Sequence, residues 1–251
     1  MKTIALTNQK GGVGKTTTTI NVGAGLAKLG KKVLLVDLDP QANLTYSLRM
    51  HSHRLDKTIY HALRGIAKAE EVIINHNGFD FMPSSLELSG AELELASEPA
   101  RERLLKDVID QIKEEDYDYV LIDCPPNLGL LTLNAFTAVN DIFIVLQSEY
   151  LALHGLSKLL DLVKVVNQRL NSDLRVGGII CTLYDGRKNL NKEVVGHIKD
   201  YFGPKVFNTI IRDNVALAEA PSHHKTIFEY DGNSHGAKDY LALAKEIKNG
   251  H

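Results

Sequence analysis

Cysteine is almost missing from this 251-residue sequence, which holds only Cys124 and Cys181. The two lie far apart, each in an apolar run, so they read as small buried side chains with no disulfide framework. Such usage suits a reducing compartment. Long apolar stretches are missing too: none approaches the roughly 18 residues that a membrane span needs. The amino end, MKTIALTNQ, has no long apolar core and no small-residue cleavage site. No signal peptide is therefore expected, and the protein is expected to be cytoplasmic. There is no repeat, low-complexity tract or long Pro/Gly/Ser linker, so a single domain over 1–251 is expected.

A large net charge is also missing. The balance is −2, which argues against a generic nucleic-acid sponge. The charge is nonetheless uneven. Glu70 to Asp123 carries 15 acidic and 4 basic residues, a sum of −11, whereas Gly155 to Lys225 carries 11 basic and 7 acidic, a sum of +4. The second stretch permits a basic patch on one face, or an ordinary solvated surface.

What is present is a run of apolar strands separated by helical segments. KTIALTN (2–8), KVLLVDLD (32–39), YDYVLIDCPP (117–126), DIFIVLQ (141–147), RVGGIICTLY (175–184) and KVFNTII (205–211) read as strands, with a brief one at Phe79–Met82. The second has no polar alternation, as expected of a strand covered on both faces. Helices are expected over 15–29, stopped by Gly30, and over 151–170, 189–202 and 235–248. Residues 43–70 read as short helices and loops, and 86–115 as acidic helix broken near Pro99. Alternating strands and helices imply an α/β fold, a mainly parallel twisted sheet flanked by helices on both faces.

Between the first strand and the first helix lies KGGVGKTT, Lys10 to Thr17. Glycines let backbone N–H groups approach an anion, and a helix start adds a favourable dipole. Lys15 can reach terminal phosphates, and the Thr16 hydroxyl can ligate magnesium. The usual G-x-x-x-x-G-K-[ST] spacing is broken, because Gln9 stands where the first glycine belongs and Gly11, Gly12 and Gly14 do the turning. Asp123 closes an apolar strand, where a magnesium-side carboxylate belongs. Asp37 and Asp39 close another strand and, two residues apart, point to one side. One of them can orient an attacking water.

KGGVGKTT, VLLVDLDPQAN, LIDCPP, SEYLALHGL and NVALAEAPS together resemble the ParA/Soj partition ATPases, P-loop proteins with a deviant Walker A motif, across nearly the whole chain. The resemblance implies the P-loop NTPase fold, ATP with Mg²⁺ as ligands, and slow hydrolysis stimulated by a ParB-like partner. It makes Lys10 the signature lysine that crosses an ATP-dependent homodimer interface to the other subunit's phosphates. It makes Lys15 the P-loop lysine, Thr16 a magnesium ligand, Thr17 a phosphate contact, Asp39 the water-positioning residue and Asp123 the Walker B residue. Gly11, Gly12, Val13 and Gly14 complete the ATP loop, and the segment around Arg212 and Asp213 is expected near the adenine. Loss of the γ-phosphate is expected to loosen CPPNLGLLTLNAF, the segment after Asp123. Non-specific DNA binding and association with the nucleoid are implied, with Arg187 at a family DNA position, Lys188 beside it and Lys225 in the neighbouring basic region.

The chain departs from the pattern at Ala216, where relatives often carry a basic residue, and at Arg212-Asp213, where many have Pro-Arg. The alternatives are a membrane-surface regulator like MinD, or a positioning ATPase for another cargo. The carboxyl-terminal helix is short and is expected to pack on the core rather than bind a membrane. No helix-turn-helix domain is expected ahead of the first strand. The histidine pairs in HSH (51–53) and SHH (222–224) have no cysteine or acidic partner at ligand spacing, so no metal site is expected there. Paired cysteines for an iron–sulfur cluster are not expected either.

Overall fold

The computed structural model describes residues 1–49, 55–149 and 156–250. Along the chain run β1 (Lys2–Thr7), α1 (Lys15–Lys28), β2 (Val33–Asp37), α2 (Asn43–Leu48), α3 (Ile59–Leu63), α4 (Ala69–Val72), β3 (Ile74–His76), β4 (Phe79–Met82), α5 (Leu88–Leu95) and α6 (Leu104–Ile109). Then follow β5 (Tyr119–Asp123), α7 (Leu130–Ala138), β6 (Asp141–Gln147), α8 (Leu156–Arg169), β7 (Arg175–Thr182), α9 (Asn189–Phe202), α10 (Val215–Glu219), α11 (Ile227–Tyr230) and α12 (His235–Lys248). The strands form one sheet in the order β3-β4-β2-β5-β1-β6-β7. All pairs are parallel except β3 with β4.

Period-2 geometry explains the unbroken apolar strands. Ala5, Leu34, Val36, Val120, Ile122, Ile142 and Ile144 enter one core with α3 to α9. Their neighbours Ile4, Leu6, Val33, Leu35, Leu121, Phe143 and Val145 enter the other, with α1, α2, α11 and α12. Both faces need apolar side chains, so no alternation survives. Cys124 and Cys181 are free thiols in the first core.

The first helix ends where expected. Gly30 takes φ 79°, and the Gly30 and Lys31 amides donate to Ala27 O at 2.9 Å and Leu26 O at 3.1 Å. This double bond closes the last turn. Helix α12 packs against α1 through Tyr240, Leu243, Ala244 and Ile247, all buried. The approach is close: a Cβ on Gly25 would lie 2.9 Å from Ala244 Cβ. Among the described residues no helix is long and apolar enough to cross a membrane.

The structure differs from the sequence reading at the sheet edges. Residues 205–211 do not form a strand. A short 3₁₀ turn covers Gly203–Lys205, and the chain then pairs with the β7 side through the isolated bridges Ile179 with Val206 and Tyr184 with Arg212 and the Ile211 amide's bond to Cys181 O at 2.9 Å, without a continuous ladder. The reason is a competing acceptor. The Glu246 carboxylate on α12 takes the Asn208 amide at 2.7 Å and the Thr209 amide at 3.0 Å, which draws the segment off the ladder. At the other edge, β3 is an unforeseen antiparallel strand. Asn77 and Gly78, both with positive φ (39° and 103°), make the two-residue turn into β4. The helix at 130–138 was also not foreseen. The expected helix over 151–170 is seen from Leu156; residues 150–155, with most of the SEYLALHGL motif, and the HSH stretch lie outside the described residues.

Candidate functional site

The loop from Asn8 to Gly14 leaves the carboxyl end of β1 and turns into α1. Gly12 and Gly14 sit at φ 75° and 88°, a region that disfavours any residue with a Cβ. A Cβ added at Gly11, Gly12 or Gly14 would meet no protein atom within 4 Å. The loop is therefore open on that side, and the positive φ at Gly12 and Gly14 sets the residue type there. The loop is held from behind. Asn8 Nδ2 donates to Val145 O at 2.6 Å, and Asn8 Oδ1 accepts from the Lys10 amide at 2.9 Å. Thr182 Oγ1 donates to Val13 O at 2.7 Å. The Val13 side chain is in the core, so only its backbone is available to a ligand. No side chain caps α1, which leaves its first N–H groups for an anion.

Parallel register brings the carboxylates to this loop. Asp123 on β5 is the register partner of Leu6 on β1 and of Asp37 on β2, so both aspartates sit at the carboxyl ends of adjacent strands. Thr16 Oγ1 donates to Asp123 Oδ2 at 2.7 Å, and Thr19 Oγ1 reaches Asp123 Oδ1 at 3.4 Å. Lys15 is buried, and among the described residues its Nζ finds one acceptor, Lys10 O at 3.2 Å. Burial pushes the Lys15 ammonium below its usual range, against the opposing pull of Asp123, Cys124 and Asp39. Burial also pushes Asp123 up to about 7, with Thr16 and Lys15 opposing, and Asp37 up to about 8, with Asp123 adding to the rise. An ammonium with spare donors, an uncapped helix start and a hydroxyl–carboxylate pair suit a phosphate chain and a hard cation. Gly11, Gly12, Gly14, Lys15, Thr16, Thr17, Asp39, Gln41, Asn43, Ser47 and Pro126 line a cleft of about 370 Å³ here. A wider cleft of about 610 Å³ lies at the opposite end of the sheet, by Lys2 and Asp118, far from these groups.

Full-length comparison decides the family. The Soj sporulation initiation inhibitor of Bacillus subtilis is 48% identical over 248 residues, covering 98% of each chain. The chromosome-partitioning ATPase Soj of Treponema pallidum is 51% identical over 98% of this chain and 96% of its own. This chain belongs to the Soj/ParA family of P-loop ATPases. A family model described as an AAA domain matches residues 1–176. Among solved structures, a cobyrinic acid a,c-diamide synthase of Mycobacterium smegmatis with bound ADP and magnesium superposes with TM-score 0.87 at 34% identity, over 99% of this chain and 94% of that one. The cell division ATPase MinD of Pyrococcus furiosus gives TM-score 0.78 at 28% identity, over 99% and 98%.

The other Soj/ParA residues expected to act are dispersed. Lys10 is exposed on the rim, its Nζ bonded to Gln147 Oε1 at 3.2 Å and paired with Glu149 at 3.1 Å. Arg187 and Lys188 stand in the loop between β7 and α9, and Arg187 is paired with Asp185 at 2.9 Å. Arg187 holds the Asp185 carboxyl down to about 2. Lys225 is exposed on a different segment, between a 3₁₀ turn at Ala220–His223 and α11. The Arg212 guanidinium is held bidentately by Asp239, at 2.6 and 2.9 Å, and the Asp213 amide donates to Tyr184 O at 2.9 Å. Next to them, Asn214 Oδ1 is buried without a partner among the described residues. In SHH, His224 Nδ1 meets Tyr46 O at 2.8 Å and His223 stacks on Tyr230. Thr19 was not foreseen as part of the site, although its place four residues after Lys15 on one helix face would have indicated it.

Proposed function

We propose that this chain is a Mg-ATP-dependent partition ATPase that dimerises on ATP, binds DNA without sequence preference and hydrolyses slowly until a ParB-like partner stimulates it. The Thr16–Asp123 pair beside the buried Lys15 carries this reading. Lys15, the loop amides and Thr17 hold the phosphates, with Thr16 and, directly or through water, Asp123 toward Mg²⁺. Bound Mg²⁺ supplies charge neutralisation on the phosphate oxygens. Asp39, which lines the cleft, orients water. Two members of the same fold have been solved with nucleotide and magnesium or with a nucleotide analogue, which supports ATP and Mg²⁺ here. Asn214 Oδ1, as an unmet acceptor, supports placing the Arg212–Asp213 loop at the adenine.

The position of Lys10 supports a role in trans. A second lysine acting on the same subunit's phosphates would face the glycine turn, whereas Lys10 lies out along Gln147 and Glu149. A cation supplied by the other subunit favours the dimer only when triphosphate is present. For DNA, Arg187, Lys188 and Lys225 offer three cations per subunit, six per dimer. The exposed Arg187–Asp185 pair is readily exchanged for phosphate. The apolar side of α12 is buried on the core, which favours DNA over a membrane as the surface.

The test is retention of non-specific DNA by the ATP-bound protein across a salt series. With six phosphate contacts, affinity falls roughly 10³-fold between 50 and 200 mM salt. Arg187→Ala abolishes retention and keeps ATP binding. Salt-insensitive retention, or unchanged retention in the variant, would remove the proposed patch. Sedimentation with anionic vesicles and ATP would instead support the MinD-like reading.

A further inference from the structure

A water-orienting carboxylate must itself be held still, and the Asp39 main chain is bonded on both sides by buried groups. Its amide donates to Asp37 Oδ1 at 3.3 Å. Its carbonyl accepts from Ser84 Oγ at 2.9 Å and from the Ala42 amide at 2.8 Å. Its Oδ1 accepts from the Gln41 amide at 2.9 Å. The remaining bonds close a ring. Thr45 Oγ1 donates to Asp37 Oδ2 at 2.6 Å and accepts from the Ser84 amide at 2.8 Å, and the Thr45 amide also reaches Asp37 Oδ2 at 2.8 Å. Asp37, Thr45, Ser84 and Asp39 are all buried, with Asp39 the most open at 7% exposure.

The ring joins three separate segments: the end of β2, helix α2 and the residues after β4. Strand register makes this possible. Met82, the last paired residue of β4, faces Val36; two further steps bring β4 to Ser84 and β2 to Leu38, next to Asp39. The Thr45 hydroxyl is both donor and acceptor, so its proton has one direction. If the Ser84 hydroxyl is removed, Asp39 O keeps its turn bond from Ala42, so the fold survives while the orientation of Asp39 loosens.

We propose that Ser84 and Thr45 are positioning residues for hydrolysis, acting through Asp39; this rests on reading Asp39 as the water-orienting carboxylate. Neither residue lines the cleft. They fix the plane of the Asp39 peptide units and so the direction of its carboxylate. Small displacements of such a group lower turnover while leaving nucleotide affinity almost untouched.

The experiment is steady-state ATP hydrolysis alongside affinity for a fluorescent, non-hydrolysable ATP analogue. In Ser84→Ala and Thr45→Val, kcat falls roughly tenfold while KM and analogue affinity stay within about twofold. Thr45→Ser, which keeps the hydroxyl and loses only the methyl group, restores turnover. In an Asp39→Asn background, adding Ser84→Ala causes no further loss, because both act on one step. Wild-type kcat in Ser84→Ala together with a slow Asp39→Asn would overturn the positioning role and leave Asp39 in place. A further loss in the double variant, or a KM that rises as kcat falls, would also overturn it. Wild-type turnover in Asp39→Asn would overturn the reading of Asp39 itself, and the proposal with it.

Discussion

Replacing Asp37 by asparagine should change how the nucleotide-free protein responds to pH. The carboxyl is fully buried, and burial lifts it to about 8 in the fold. In the unfolded chain it returns to about 3.9. Between these values the folded protein holds a proton that the unfolded chain has released. The contribution to stability is therefore complete below about pH 4, declines as pH rises, and is gone above about 8. One such group gives a slope of about −1.4 kcal/mol per pH unit inside the window. Asp123, lifted to about 7, has the same sign up to that pH. From pH 5.5 to 6.5 the wild type should lose roughly 2–3 kcal/mol from the two groups, and Asp37→Asn about half that. The carboxyl groups that their partners pull down, such as Asp185, titrate well below this window. Contributions common to the two proteins cancel when their curves are subtracted. The assay is urea unfolding followed by circular dichroism at several pH values, with a chelator and no nucleotide. A bond lost from the asparagine shifts the whole curve and leaves its slope alone. Parallel curves for the two proteins, or a variant that loses stability faster with rising pH, would refute the reasoning.

Lys15→Met should abolish ATP binding in equilibrium dialysis, because among the described residues the buried ammonium is the one Lys or Arg cation lining the cleft. Thr16→Ala removes the hydroxyl that meets Asp123, and the Mg²⁺ concentration needed for half-maximal hydrolysis should rise at least about tenfold. Lys10→Ala should keep ATP binding and stay monomeric by light scattering; a normal ATP-dependent dimer would exclude Lys10 from the interface. Gly25→Val forces branched carbons into the 2.9 Å gap to Ala244, and denaturant unfolding should show a loss of about 2–3 kcal/mol.

Sequence alone determined β1, β2, β4, β5, β6 and β7, the long helices α1, α8, α9 and α12, the anion-binding turn and the aspartates that close two strands. These follow from short-range causes. Apolar runs of strand length need cover on both faces, glycines permit the positive φ at Gly12 and Gly14, and Gly30 supplies a left-handed helix stop. The tertiary structure decided what depends on distant neighbours. Thr16 meets Asp123 across 107 residues, and the raised carboxyl groups exist only because other segments exclude water from them. An acidic residue on α12 converted the apolar 205–211 segment from a strand into an edge loop, a competition no local pattern contains. The ring around Asp39 likewise joins residues 37 and 39 to residues 45 and 84 on two other segments, a link that no local period contains. Local sterics and periodicity are written along the chain, whereas desolvation and hydrogen-bond closure arise only when separate segments share one interior.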